Sequence, residues 1–324
     1  MIIAVVFIFL GLALLMFGAD RFVDGAAALA ANLGVPPLLV GLTVVGFATS
    51  APELLVAATA SIAGNPSIAI GNAIGSNIAN IGLVIGVTAI IMPLVVQSRV
   101  LKQEFPIMFG AMCLALALFW DQDLSRVDGV LLAIGLFIMM GITTYFGLKY
   151  SRPEQTGLSP DALVEELQIP EISTGRALLL SFIGLTCLVI GSDRLVAGAV
   201  TVATHFGVSD LVIGLTIVAI GTSLPELAAS IASALKGESD IALGNVIGSN
   251  MFNILGVTAA PGLIHPSTIE AGVMYRDLPI MFGLSIVLYI MAFGRDSTIG
   301  RVNGTFLLLA FAAYQFLLYT ASVK

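Results

Sequence analysis

Two stretches, "GFATSAPELLVA" (46–57) and "AIGTSLPELAAS" (219–230), each put a carboxylate, two hydroxyls and a proline inside an otherwise apolar run. A carboxylate at membrane depth costs several kcal/mol unless it is paired or faces a polar cavity, so Glu53 and Glu226 are functional candidates by default. The apolar runs 37–62, 68–92, 211–235 and 240–264 contain no Lys or Arg that could neutralise them. A structural salt bridge is thereby disfavoured, and the compensating charge is expected to come from a bound cation or a proton.

The neighbouring residues narrow the cation class. Thr49, Ser50 and Glu53 are spaced i, i+1, i+4, which groups their oxygens on one side of a helix. Thr222, Ser223 and Glu226 repeat the spacing. Pro52 and Pro225 supply no N–H, so the carbonyls of Ala48 and Gly221 are expected to lose their helical partners and to line a cavity. In "GNAIGSNIANIG" (71–82), Asn72, Ser76 and Asn80 recur every fourth residue as a polar stripe, repeated by Asn245, Ser249 and Asn253. The set comprises carboxylates, hydroxyls, amides and carbonyls, with no thiolate or imidazole. Such hard oxygen donors suit Ca²⁺, and equally Na⁺. A phosphate loop does not fit the glycine-rich text, which lacks the strand context and the Lys-Ser/Thr ending.

The elements that carry these residues are membrane helices. The chain has 324 residues, 58% hydrophobic and 10% charged, with a mean hydropathy of +1.05. A soluble globular chain is roughly a quarter charged. Apolar runs long enough to cross a bilayer core are read at about 2–19, 37–62, 68–92, 104–120, 128–148, 177–192, 211–235, 240–264, 278–293 and 303–320. The first lacks a basic leader and is read as a retained helix. The first run and the 177–192 run each continue into "DRFVDGAAALAANLG" (20–34) and "DRLVAGAVTVATHFG" (193–207), predicting long, tilted helices with small residues along one side. Cys113 and Cys187 are read as small buried thiols, and His205 and His265 as structural or interfacial. Neither histidine belongs to a metal-protease motif or a nucleophile–base pair, so no enzyme is expected. The net charge of −7 disfavours a nucleic-acid partner. The partners expected are small inorganic cations and membrane lipid, with no cofactor.

A shift of 173 residues overlays the two halves without a gap: Asp20-Arg21 on Asp193-Arg194, "ATSAPEL" on "GTSLPEL", "GNAIGSNIANI" on "GNVIGSNMFNI", and "FPIMFG" on "LPIMFG". Five helices per half is an odd number, so the second copy must enter the membrane inverted. An all-α membrane protein of ten transmembrane helices in two inverted repeats is therefore expected, with residues 1–148 as the first repeat, 149–175 as a polar cytoplasmic linker and 176–324 as the second repeat. Inverted repeats are the architecture of secondary transporters, with the substrate site near the midplane at the repeat interface. Within the linker, Ser159-Pro160 could begin a short helix through Leu167. If the helices alternate, Arg21, Arg99, Lys102, Lys149, Arg152, Arg176, Lys236, Arg295 and Arg301 share one side, against Arg126, Arg194, Arg276 and Lys324 on the other. The richer side is expected to be cytoplasmic and both termini outside.

With these motifs in view, the chain resembles the cation/calcium exchanger superfamily, in particular its prokaryotic sodium/calcium exchanger branch. "GFATSAPE" and "AIGTSLPE" look like its two signature repeats, with "GNAIGSNIANI" and "GNVIGSNMFNI" as their partners, and the similarity runs over essentially the whole chain. The resemblance implies exchange of Ca²⁺ for Na⁺ by alternating access, the long first helix of each half sliding past a fixed core, in the inner membrane of a prokaryote. It implies Glu53 and Glu226 as central carboxylates and Thr49, Ser50, Ser76, Thr222, Ser223 and Ser249 as hydroxyl ligands. It adds backbone carbonyls near Gly46 and Ala219, with Asn80 and Asn253 closing the site. One departure stands out: characterised members carry aspartate where Asn253 stands, so this site has two formal negative charges instead of three. Proton-coupled antiport of Ca²⁺ or another divalent cation is the alternative, although proton-coupled relatives usually show an asparagine-alanine-glutamate pattern in place of Thr-Ser-x-Pro-Glu.

Overall fold

The computed structural model describes residues 1–34, 37–150, 172–206, 219–293 and 297–322. The helices, in chain order, are α1 (Ile2–Leu33), α2 (Leu38–Ile62), α3 (Pro66–Ile91), α4 (Val100–Leu118), α5 (Arg126–Tyr150), α6 (Thr174–His205), α7 (Leu224–Leu235, preceded by the single turn Ala219–Thr222), α8 (Ser239–Ile264), α9 (Val273–Ala292) and α10 (Arg301–Ser322). Among the described residues, nine of these are long and apolar enough to cross a membrane, and α7 is a shorter apolar helix. The remainder of the expected run 211–235, residues 211–218, lies outside the described residues, as does the expected short helix at 159–167.

Helices α1 and α6 are each 32 residues long, about 48 Å at 1.5 Å per residue. They pack antiparallel along their whole length: Gly11 faces Gly191 and Leu195, Gly18 faces Gly184 and Cys187, and Gly25 faces Ala177 and Ser181. The glycines are what permit this approach, since a methyl at Gly18 would lie 2.8 Å from the Gly184 carbonyl oxygen. Small-residue seams of this kind gain their packing energy from backbone proximity, which lipid cannot match.

The other helices form the body. A continuous apolar cluster joins α3, α4, α8, α9 and α10 through Ile74, Ile81, Phe105, Met112, Leu255, Met281 and Phe311. Helix α8 is the most enclosed, with 94% of its apolar window inside the protein against 28% for α1 and 17% for α5. It touches α2, α3, α5 and α7. Large side chains such as Phe9, Phe137 and Phe316 face outward, as a hydrocarbon solvent permits.

Two short antiparallel ladders tie the halves together at opposite ends. Strand β1 (Leu94–Val95) pairs with β4 (Thr298–Ile299), and β2 (Asp123–Leu124) with β3 (Ser267–Thr268). At the β1–β4 end, Lys236 Nζ binds Asp20 Oδ1 at 2.6 Å and Asp24 Oδ1 at 2.8 Å, while Gln97 donates to Asp240 and Arg301 to the Ile90 carbonyl. Arg21, Arg99, Lys236 and Arg301 therefore gather at one end, as the alternation of helices required. One expectation needs correction: Cys113 is exposed on the outer face of α4 and is not a buried thiol, while Cys187 is half-buried against Gly18. Lipid accepts a thiol on the surface as readily as a core does.

Candidate cation site

The two signature stretches break their helices in the same way. Helix α2 is interrupted at Ser50, with φ −86° and ψ 3°, and the chain before α7 at Ser223, with φ −90° and ψ 4°. The cause is local. Pro52 and Pro225 remove a backbone donor and disfavour α geometry in the residue before them, and each break falls two residues before its proline. A second irregularity was invisible in the sequence pattern: π-helical turns run from Gly41 to Val45 in α2, from Asn80 to Ile85 in α3 and from Asn253 to Val257 in α8. An extra residue per turn rotates the side chains that follow and loosens the carbonyl ladder, a feature frequent at functional sites.

The first half of the expected set converges with the second across α2, α7 and α8. Thr49, Ser50, Glu53, Ser223, Glu226, Ser249 and Asn253 are each fully buried. Thr49 Oγ1 lies 3.0 Å from Asn245 Oδ1, 3.1 Å from the Val45 carbonyl and 3.4 Å from Ser249 Oγ. Ser249 Oγ donates to the Gly46 carbonyl at 3.2 Å, which brings that expected backbone ligand to the cluster. Ser50 Oγ donates to Glu226 Oε1 at 3.2 Å. Ser50 thereby joins the helix that carries Glu53 to the carboxylate on α7. Ser76 and Asn80 are buried on α3, and the turn that Asn80 opens packs on α7. Ala219 and the half-buried Thr222 bound the turn before the Ser223 break.

Seven buried polar atoms of the expected set are unsatisfied. Both oxygens of Glu53, Oε2 of Glu226, Oδ1 of Asn80, both amide atoms of Asn253 and Oγ of Ser223 are buried without a hydrogen-bond partner among the described residues. Buried polar groups are otherwise bonded in more than about nine cases in ten. Neither glutamate forms an ion pair with a basic side chain among the described residues. Buried oxygens without partners, two carboxylates among them, are the chemistry that a bound cation would satisfy. The side chains of Ser76, Ser223 and Asn253 make no hydrogen bond to another member of the expected set among the described residues.

Sequence reasoning passed over three residues here. Ser230 accepts from Asn245 Nδ2 at 2.9 Å, and the same amide donates to the Glu226 carbonyl at 3.2 Å. Asn250 Oδ1 accepts from Asn80 Nδ2 at 3.1 Å, and the Asn250 backbone carbonyl accepts from Asn77 Nδ2 at 3.1 Å. The available signal was the doubled asparagine in "GSNIAN" and "GSNMFN", where Asn77 and Asn250 sit three residues before the stripe members Asn80 and Asn253.

Known proteins agree with this reading of the fold. The sequence pattern of the family described as sodium/calcium exchanger protein matches residues 3–145 and 176–320. The chain is 45% identical to the protein CaxA of Alkalimonas amylolytica over 326 residues, covering 99% of this chain and 100% of the relative. It is 38% identical to inner membrane protein YrbG of Escherichia coli K12, covering 99% and 98%, and 31% identical to sodium/calcium exchanger MaX1 of Methanosarcina acetivorans, covering 96% and 97%. Among solved structures, the sodium-calcium exchanger NCX_Mj soaked with zero Na⁺ and Ca²⁺ superposes with a TM-score of 0.82 at 35% identity, covering 96% of this chain and 97% of the other. The protein is thus an all-helical, multi-pass membrane transporter and not an enzyme. It belongs to the sodium/calcium exchanger family.

Proposed function

We propose that the protein is a secondary antiporter that exchanges Ca²⁺ for Na⁺ by alternating access. The observation that carries this reading is the pair of fully buried carboxylates, Glu53 and Glu226, with three of their four oxygens unpartnered among the described residues. Two negative charges balance one divalent ion. Taking them out of water without such an ion costs several kcal/mol each. The donors around them are all oxygens, as Ca²⁺ and Na⁺ both prefer. Thr49, Ser50, Ser76, Thr222, Ser223 and Ser249, the carbonyls at Gly46 and Ala219, and the amides of Asn80 and Asn253 complete the ligand set.

The architecture we assign is ten transmembrane helices in two inverted five-helix repeats, residues 1–148 and 176–324, joined by a cytoplasmic linker at 149–175. The antiparallel packing of α1 on α6, which are equivalent under the 173-residue shift, supports it. So does the family match in two blocks. Helix α7 supplies the described part of the tenth span. The gathering of Arg21, Arg99, Lys236 and Arg301 at one end supports a cytoplasmic assignment for that end, with both termini outside. The relatives named inner membrane protein and sodium/calcium exchanger support a location in the inner membrane of a prokaryote.

Uptake of radioactive Ca²⁺ into proteoliposomes under separately imposed Na⁺ and H⁺ gradients tests the coupling. Uptake driven by an outward Na⁺ gradient at constant pH is the expected result. Uptake that follows the pH gradient and ignores Na⁺ would replace this reading with proton-coupled exchange.

A further inference from the structure

The two asparagines that close the site are held differently. Asn80, on α3, is 1% exposed, and its Nδ2 donates to Asn250 Oδ1 on α8 at 3.1 Å. Its Oδ1 is buried with no hydrogen-bond partner among the described residues. Asn253, its equivalent under the 173-residue shift, has both amide atoms in that condition. Asn77, the equivalent of Asn250, reaches no amide: its Nδ2 donates to the Asn250 backbone carbonyl at 3.1 Å and approaches Met281 Sδ at 3.5 Å. Asn250 itself is 3% exposed and gripped by α3 at two points, its backbone carbonyl by Asn77 and its side chain by Asn80.

An asparagine is a cation ligand in only one of its two amide orientations. Turned one way it offers an oxygen with two lone pairs; turned the other it offers two N–H donors, which repel a cation. We propose that Asn250 is a positioning residue for ion binding: by accepting from Asn80 Nδ2 it holds the Asn80 carbonyl oxygen toward the cation. The assignment rests on the cation site described above. Asn250 acts through Asn80 and touches no ion itself. The same contact bridges α3 and α8, one helix from each half, so the orientation of a first-half ligand is set by the second half. Asn253 has no equivalent brace among the described residues.

A double-mutant cycle on the full-length protein tests this, with Ca²⁺ affinity read from the Ca²⁺-dependent rise in melting temperature of the detergent-purified protein. Asn250→Leu removes the brace and is expected to weaken Ca²⁺ binding roughly tenfold, the equivalent of one hydrogen bond's orienting energy. Asn80→Asp replaces the amide by a carboxylate, which presents an oxygen in either orientation. In that background Asn250→Leu is expected to change affinity less than about twofold, because there is no amide left to orient. Asn250→Ala serves the same cycle if the leucine variant does not fold. An unchanged affinity in Asn250→Leu, or a loss of equal size in both backgrounds, would overturn the positioning role and leave the site standing. Asn80→Asp with wild-type Ca²⁺ and Na⁺ affinity would instead remove Asn80 from the site, and the proposal with it.

Discussion

The two halves of the chain share a backbone plan and differ in its wiring. Both break a helix at a serine two residues before a proline, and both open a π-helical turn at the closing asparagine. Yet Ser50 reaches across to Glu226, whereas the Oγ of its equivalent Ser223 and both carboxylate oxygens of Glu53 have no side-chain partner among the described residues. Asn245 bonds to Ser230 and the Glu226 carbonyl, whereas Nδ2 of its equivalent Asn72 has no partner among the described residues, with Ala57 where Ser230 would stand. At the start of α9, Asp277 is satisfied by Arg276 and by Tyr314 Oη at 3.0 Å, while the equivalent Glu104 on α4 has, among the described residues, Arg99 at 3.7 Å. Duplication supplies a symmetric scaffold, and single side chains then decide which copy of each polar position is held by protein and which is left without a partner among the described residues.

The harshest way to break the comparison is to remove the charges. Glu53→Gln and Glu226→Gln are each expected to abolish Ca²⁺ exchange, a loss above roughly a hundredfold, while the protein still inserts and folds. A single remaining carboxylate leaves a divalent ion half-neutralised in a medium that screens poorly. Exchange assays on purified, folded variants check this. Activity close to wild type in either would take that glutamate out of the site.

Restoring an acid at the unbraced asparagine has the next largest effect. Asn253→Asp takes the site's formal charge from −2 to −3, and an ionised acid there should strengthen cation binding and alter Na⁺ affinity or the charge carried per Ca²⁺ cycle. Na⁺ dependence and transport current, recorded together, give the answer. If both are unchanged in a variant that still moves Ca²⁺, Asn253 packs helices and does not meet the ions.

Ser230→Ala makes the second half resemble the first. Asn245 keeps the Glu226 carbonyl but loses Ser230, and stability should fall by about 1 kcal/mol, visible as a lower melting temperature in detergent with exchange largely retained. A melting temperature equal to wild type would mean that the network contributes nothing. The smallest effect is expected at the rim: Lys236→Ala severs the ion pairs to Asp20 and Asp24, all three partly exposed. Such pairs contribute at most about 1 kcal/mol, so a drop well beyond that would assign Lys236 a larger part in holding α1 to α7.

Much of this was legible in the chain itself. Long apolar runs name helices because a bilayer demands about 20 residues of them, and Glu53 and Glu226 stand out because nothing nearby in sequence could neutralise them. The 32-residue reach of α1 followed from the small residues that continue past the apolar core of 2–19. The π-helical turns were not legible, since these helices are apolar on nearly every face, so the rotation that an inserted residue causes leaves little mark in the sequence pattern. Starts were missed for the same reason: α4 begins at Val100 and α9 at Val273, each with such a turn of mixed polarity. Asn250 and Ser230 were hidden for a different cause. Their partners are distant in sequence, and a buried amide on an apolar helix looks the same whether it braces a ligand or a neighbouring helix.

The central claim, that Glu53 and Glu226 together form one cation site, is tested most directly by equilibrium Ca²⁺ binding to the purified protein with and without competing Na⁺. The account predicts saturable binding that Na⁺ displaces and that either Glu53→Gln or Glu226→Gln eliminates. Na⁺-displaceable Ca²⁺ binding that survives at wild-type affinity in either variant would contradict it.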